Sequence, residues 1–275
     1  MTESSAADGS RTQGRLELAL EDRRGITRPV RALALPPVQL SRVRYDSPRA
    51  PGRAVFTLLH LGGVLAGDRA QMHVRLAPGA EAELHMAAAT QVLQMPAGDA
   101  AHMIELRLGA GSRLAWLAQP LILFAGARFS QNTRVFLAPG ARLALLEVLV
   151  PGRLARGERY AFASYEARLE VCDETGRCLV AERALLEPGR LPLGVPGALA
   201  DTPVLGSLYL LGDAPGADRL ASALHDPADR NLGVSALPNG AGVLVRALGA
   251  TPSQVHRRLL AIYAATSLST ADTAA

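Results

Sequence analysis

Three stretches of the chain share one pattern: Val74-Arg75-Leu76-Ala77-Pro78-Gly79-Ala80, Leu106-Arg107-Leu108-Gly109-Ala110-Gly111-Ser112 and Val135-Phe136-Leu137-Ala138-Pro139-Gly140-Ala141. Apolar residues alternate at period two up to each turn and resume beyond it as Ala82 and Leu84, Leu114 and Trp116, Leu143 and Leu145. Such alternation marks a strand with one face in a core, so each unit reads as strand, turn, strand. The turn glycines lie 32 and 29 residues apart. A unit recurring at about thirty residues predicts stacked β layers, because each layer buries its apolar face only against its neighbour. The expected fold is therefore mainly β, with solenoid-like layers or sheets. A body of this kind offers long faces and an interior seam rather than a deep catalytic cleft, which favours a binding or conduit protein.

Outward from the repeats, Leu16, Leu18 and Leu20 alternate with Arg15, Glu17 and Ala19 as a half-exposed strand. Pro29, Pro36 and Pro37 confine the next extended segment to edges and loops. The apolar run Val55 to Leu61 opens the repeat region, which fills residues 55 to 150. Beyond it, Asp173-Glu174-Thr175-Gly176 separates two strand-like segments as a hairpin turn, so Cys172 and Cys178 are expected to face each other. Residues 187 to 216, rich in proline and glycine, read as a long irregular connection. Helices come late. One spans Ala217 to Leu224; a second, about 251 to 266, opens with the capping sequence Thr251-Pro252-Ser253-Gln254 and carries Val255, Leu259, Ile262 and Tyr263 on one stripe. Residues 1–14 read as a disordered tail, and 15–275 as a single β domain with this short helical C-terminal part.

Composition narrows the chemistry. All 29 basic residues are arginine, and the absence of lysine removes Schiff-base chemistry, a lysine nucleophile and the P-loop lysine. The net charge is only +4 and most arginines are single, so no phosphate-binding stripe is visible and no nucleic-acid partner is expected. Residues 11 to 53 hold ten arginines against Glu17, Glu21, Asp22 and Asp46, a face that is either simply solvated or a dock for an acidic protein surface. Two cysteines make no disulfide framework. Met1 to Gly14 lacks the apolar core of a secretory signal, and the longest apolar stretch, Leu114 to Ala127, is broken by Gln119 and Pro120. A cytoplasmic protein with no membrane partner is expected.

No G-x-S-x-G, H-E-x-x-H or C-x-x-C motif is present. Two features stand out. Apart from Met1, every methionine lies between residues 72 and 103, and three histidines adjoin them as Met72-His73, His85-Met86 and His102-Met103. Imidazole and thioether together suit soft or borderline metals. Strand neighbours point to opposite faces, so no single Met-His pair chelates an ion, but one residue from each layer can line a shared seam. The methionines also suit gap-filling in a core poor in aromatics. The second feature is Glu147 with Glu158, a carboxylate pair of the kind a glycoside-cleaving β-solenoid uses, though without aromatic platforms for sugar rings.

From Gly62-Gly63-Val64-Leu65-Ala66-Gly67-Asp68-Arg69 the chain resembles the UreD/UreH-type urease accessory proteins. The likeness deepens through Leu114 to Phe124, Ala127-Arg128, Leu137 to Arg142, Glu147, Gly152-Arg153 and Gly157-Glu158, in that family's order and spacing. What the resemblance implies is a non-catalytic maturation factor with no tightly bound cofactor. Such a factor binds urease apoprotein and, with UreF-like and UreG-like partners, delivers nickel, the transported ion, through an internal tunnel. Asp68, Glu147 and Glu158 match its acidic positions, and Arg69 and Arg153 its basic ones. With His85 and His102 from the methionine cluster, these carboxylates form the expected transit set. Gly62, Gly63, Gly67, Arg69, Arg128, Gly152 and Arg153 form the expected structural or interaction motif. Oxygen ligands hold a divalent ion loosely enough to pass it on. A carboxylate can also simply close a turn or pair with a neighbour, as Asp68 with Arg69 or Arg153 with Glu158. The segment Leu84 to Met95 departs from the family's usual Thr-Thr-Gln and Lys pattern, which leaves open a diverged member with another client or metal.

Overall fold

Each glycine turn is a corner between two sheets. The computed structural model describes residues 13–45, 50–196, 198–200, 202–212, 217–225 and 228–266. Most of the expected N-terminal tail lies outside them; Gln13 and Gly14 already belong to the first strand, β1 (Gln13–Arg23), which pairs with β2 (Ile26–Leu35). Short β3 (Val38–Leu40) leads to β4 (Ala54–His60). The repeats then supply β5 (Arg69–Leu76) and β6 (Glu81–Met86), β8 (Ala100–Leu108) and β9 (Arg113–Leu117), β11 (Arg128–Leu137) and β12 (Arg142–Val150), with short β7 (Thr90–Val92) and β10 (Leu121–Leu123) between copies. In every copy the first strand lies in one sheet and the second in the other. Successive copies pair in parallel, β5 with β8 and β8 with β11, β6 with β9 and β9 with β12, so the chain winds as a solenoid-like stack.

Three more strands and a hairpin widen the two sheets. β13 (Ser164–Asp173) pairs in parallel with β11 and antiparallel with β14 (Cys178–Leu186), which sets Cys172 opposite Cys178. The first sheet runs β14-β13-β11-β8-β5-β1-β2, with proline-bearing β2 at its edge. β15 (Val204–Gly212) occupies the stretch expected to be irregular. It pairs antiparallel with β12, and the second sheet runs β16 (Leu232–Ala236), β17 (Gly242–Gly249), β15, β12, β9, β6, β4, β3.

The second sheet is covered on both sides. Leu143 and Leu145 face the first sheet with Leu18, Val74 and Leu106, while Ala144, Leu146 and Val148 pack outward with Val255, Leu259 and Tyr263. That outer layer is α2 (Pro252–Ala265), capped by Thr251, whose Oγ1 accepts the Gln254 amide at 3.4 Å, together with α1 (Ala217–Leu224). Burial on two faces explains why β12 and β15 read as nearly unbroken apolar runs.

The coils close at opposite ends in different ways. At one end the three glycine turns stack, Gly79 donating its N–H to Ala110 at 2.9 Å and Gly111 to Pro139 at 3.0 Å. At the other end the longer connections 61–68, 87–99, 118–127 and 151–163 stack around their own core of Val64, Val92, Met95, Leu123 and Phe162. Among the described residues no helix is long and apolar enough to cross a membrane.

Candidate functional site

The resemblance motifs gather in this second stack of loops. Gly62 and Gly67 hold positive φ (69° and 89°), and at Gly63 a Cβ would meet the Leu93 side chain at 2.6 Å. Asp68, buried, closes the loop by accepting the Leu65 N–H on Oδ2 at 2.8 Å. Arg69 does not pair with that carboxylate: its guanidinium reaches Asp99 Oδ1 at 3.0 Å and the backbone carbonyls of Asp68 and Asp99 at 2.9 Å. Arg69 thus ties two successive loops together. Arg128 binds the Met95 carbonyl at 3.1 Å and ties the next pair. In the last loop Glu158 accepts from Arg153 Nε at 3.0 Å and from the Ala125 and Arg153 amides, and the Arg153 guanidinium holds its carboxyl below the usual carboxylate range. At Gly152, where φ is 145°, a Cβ would lie 2.3 Å from the Glu158 carbonyl.

Beneath these loops, between the sheets, lies a cavity of about 260 Å³. Inward alternation on β12 places Leu143, Leu145 and then Glu147 toward the first sheet, and Glu147 stands in register with Ser207 on β15 and Arg246 on β17. All three line the cavity. From the opposite sheet Gln131 Nε2 donates to Glu147 Oε1 at 2.6 Å, and Glu182 accepts from Arg246 and, at 3.1 Å, from the Tyr209 hydroxyl. Enclosure and the nearby Glu182 charge push the Glu147 carboxyl up to about 7. A carboxylate poised there exchanges a proton near neutrality.

The methionine cluster divides by strand parity. Met72, Met86 and His102 turn into the cavity, while Met103 is exposed and the His73 side chain is about half exposed. His85 stays outside the cavity, with Nε2 3.2 Å from Glu83. The seam thus takes His102 but not His85, and it adds His60, which the sequence reading passed over. Its signal is legible afterwards: Phe56, Leu58 and His60 share one parity on β4, directly before the glycine pair. The rings of His60 and His102 stand 5.5 Å apart across the sheets. Gln131, Glu182, Ser207, Tyr209 and Arg246 were likewise not foreseen, because it is the facing of the two sheets and the register of β12, β15 and β17 that bring them together.

The transit set is therefore split. Glu147 and His102 line the cavity; Asp68 and Glu158 sit in the loops over it, each engaged in closing its own loop; His85 lies elsewhere. Among the described residues no cluster of three or more histidine, cysteine, aspartate or glutamate side chains could hold a metal ion.

The family model for the UreD urease accessory protein matches residues 12–275. The chain belongs to the UreD family. It is similar to the urease accessory protein UreD 2 of Streptomyces griseus, 36% identical over 248 residues, covering 88% of this chain and 85% of the relative. The UreD of Haloarcula marismortui is also 36% identical, over 91% of this chain and 84% of its own, and that of Anaeromyxobacter 37% identical over 85% and 78%. Within this UreD-family chain, the motif residues build the loop stack, and the inward-facing polar residues line the space beneath it.

Proposed function

We propose that this chain serves urease maturation without catalysis: it binds urease apoprotein together with UreF-like and UreG-like proteins, and nickel passes through the cavity between its sheets. The observation that carries the reading is Glu147, an ionisable carboxylate aimed into the cavity between the sheets of a UreD-family chain. A carboxylate held by a single neutral donor suits passage. A single oxygen donor group holds a divalent ion weakly, and protonation near neutrality offers a means of release. The carbohydrate-active alternative loses its geometry, since Glu158 is committed to Arg153 and two backbone amides in the loop while Glu147 faces the cavity.

Co-purification from nickel-fed cells tests the binding half. The tagged protein is expected to retain urease subunits and a UreF-like partner, and retention of neither would overturn the reading. Nickel content tests the transit half. Urease matured with the Glu147→Ala variant is expected to carry several-fold less nickel at equal complex recovery; unchanged content would remove the cavity from the route.

A further inference from the structure

At the β4 end of the cavity stand imidazole nitrogens without a well-formed hydrogen bond. His102 is 7% exposed and its Nε2 has no hydrogen-bond partner, and both ring nitrogens of His60 are buried without one. An unpaired buried imidazole nitrogen is costly, and retaining several at facing positions calls for a ligand. Phe129 packs edge-on against His102, at 4.9 Å between centroids and an 87° interplanar angle.

Each histidine also has a methionine beside it in its own sheet. Ala70 on β5 is the register partner of His102, and Met72 lies two residues further on, at the diagonal position. Leu58 pairs with Met86, and His60 lies two residues beyond Leu58, again on the diagonal. Diagonal neighbours of this kind sit within reach of long side chains. All four line the same cavity.

We propose that His60, His102, Met72 and Met86 form a binding site for a soft monovalent d10 cation, Cu(I) in chemical class. Two imidazoles and two thioethers are the donor set that soft ions select, and none of the four is an anion. Charge decides between ions: the cost of burying an ion rises with the square of its charge, so a divalent ion pays about four times the desolvation of a monovalent one where none of its ligands is a carboxylate. Asp68 acts on His60 from the loop, its Oδ2 accepting the Leu65 amide, and stands outside the four-residue donor set.

The test uses Ag(I) as a redox-inert probe on the isolated full chain, carrying Cys172→Ser and Cys178→Ser so that the two free thiols do not compete. Calorimetric titration in chloride-free buffer is expected to show one tight equivalent, weakened at least tenfold by His60→Ala or His102→Ala and several-fold by Met72→Leu, with circular dichroism reporting that each variant folds. Equal affinity in the folded histidine variants overturns the site, as does displacement of Ag(I) by equimolar Ni(II). X-ray absorption on the chain with its histidines intact guards against a misfolded variant: nitrogen neighbours in the Ag(I) shell support the site, and a shell of sulfur or oxygen alone overturns it. Because binding is read on the isolated chain, the outcome is independent of whether nickel crosses the cavity.

Discussion

Gln131 on β11 and Glu147 on β12 meet across the two sheets, the amide Nε2 donating to a carboxylate oxygen at 2.6 Å in the cavity wall. The contact joins strands that are consecutive in sequence yet belong to different sheets, and it is the one protein hydrogen bond to the Glu147 side chain found among the described residues. One neutral donor does not offset enclosure, which is why the carboxyl holds its proton up to about 7.

A pH signature follows. The folded value lies above the ordinary 4.5, so protonation of Glu147 stabilises the fold fully below that value, and the contribution is lost as pH rises toward 7. Glu147→Gln keeps a neutral side chain at every pH. Urea denaturation is expected to find the variant level with the parent near pH 5 and more stable at pH 8, by up to roughly 3 kcal/mol from the size of the shift. A gap independent of pH would mean that Glu147 is already ionised in the fold.

Stacking of the coils depends on a close approach at the middle turn. A Cβ on Gly109 would lie 2.7 Å from the Pro78 nitrogen and 2.9 Å from the Leu76 carbonyl oxygen, both backbone atoms of the coil before it. Backbone cannot yield as a side chain tip can, so Gly109→Ala should cost about 1–3 kcal/mol. Gly233→Ala is the control, because nothing lies within 4 Å of a Cβ there. Thermal unfolding of the two variants should separate them clearly; equal melting temperatures would show that the turns are not in tight contact.

What the sequence disclosed, and what it hid, follows from which contacts are local. The alternation in Val74 to Ala80 and its two copies is set by each strand's own buried face, so the stacked coils were legible, as were the hairpin at Asp173 and the Thr251 cap. β15 was not. Buried on both faces, Val204 to Gly212 carries no alternation, and its glycines resemble loop residues although Gly206 serves packing against α2. The same holds for the site. Glu147 stands out as one of a pair of carboxylates and as a motif position, whereas its neighbours Ser207 and Arg246 look like ordinary surface positions until the antiparallel strands bring them into register. Asp68 and Arg69, adjacent in sequence, suggested a pair; the loop instead turns Arg69 toward Asp99 in the next coil.

Gly206 also makes a testable seat for the C-terminal helix. A Cβ there would come within 2.4 Å of Val255 Cγ1 and 2.6 Å of Leu259 Cδ1. Gly206→Ala is expected to lift α2 and to cost on the order of 1–3 kcal/mol. Trimming the helix side in the double variant with Val255→Ala should recover part of that loss, giving a favourable coupling energy in a double-mutant cycle. Strict additivity in denaturation midpoints would show that the two residues do not touch.

The loop stack over the cavity has its own electrostatic lock in Glu158, which accepts from the Arg153 guanidinium and from the Ala125 and Arg153 amides. Its carboxyl is held below 4.5, chiefly by Arg153, so the stabilisation is present above that value and is lost as pH falls through the folded one. Glu158→Gln keeps the shape and drops the charge. At neutral pH it should lose roughly 1–2 kcal/mol, the difference between charged and neutral hydrogen bonds, and Glu158→Ala should lose more because two backbone amides are left unpaired. The gap between parent and Glu158→Gln should close in acid, as the Glu147→Gln gap does, but with the opposite sign, Glu158→Gln being the less stable of its pair at neutral pH and Glu147→Gln the more stable. Hydrogen exchange adds a local reading: the Ala125 amide is expected to lose protection in Glu158→Ala while the Gly111 amide, at the far end of the coils, keeps it. Equal loss at both ends would mean that Glu158 supports the whole fold rather than the loops above the cavity.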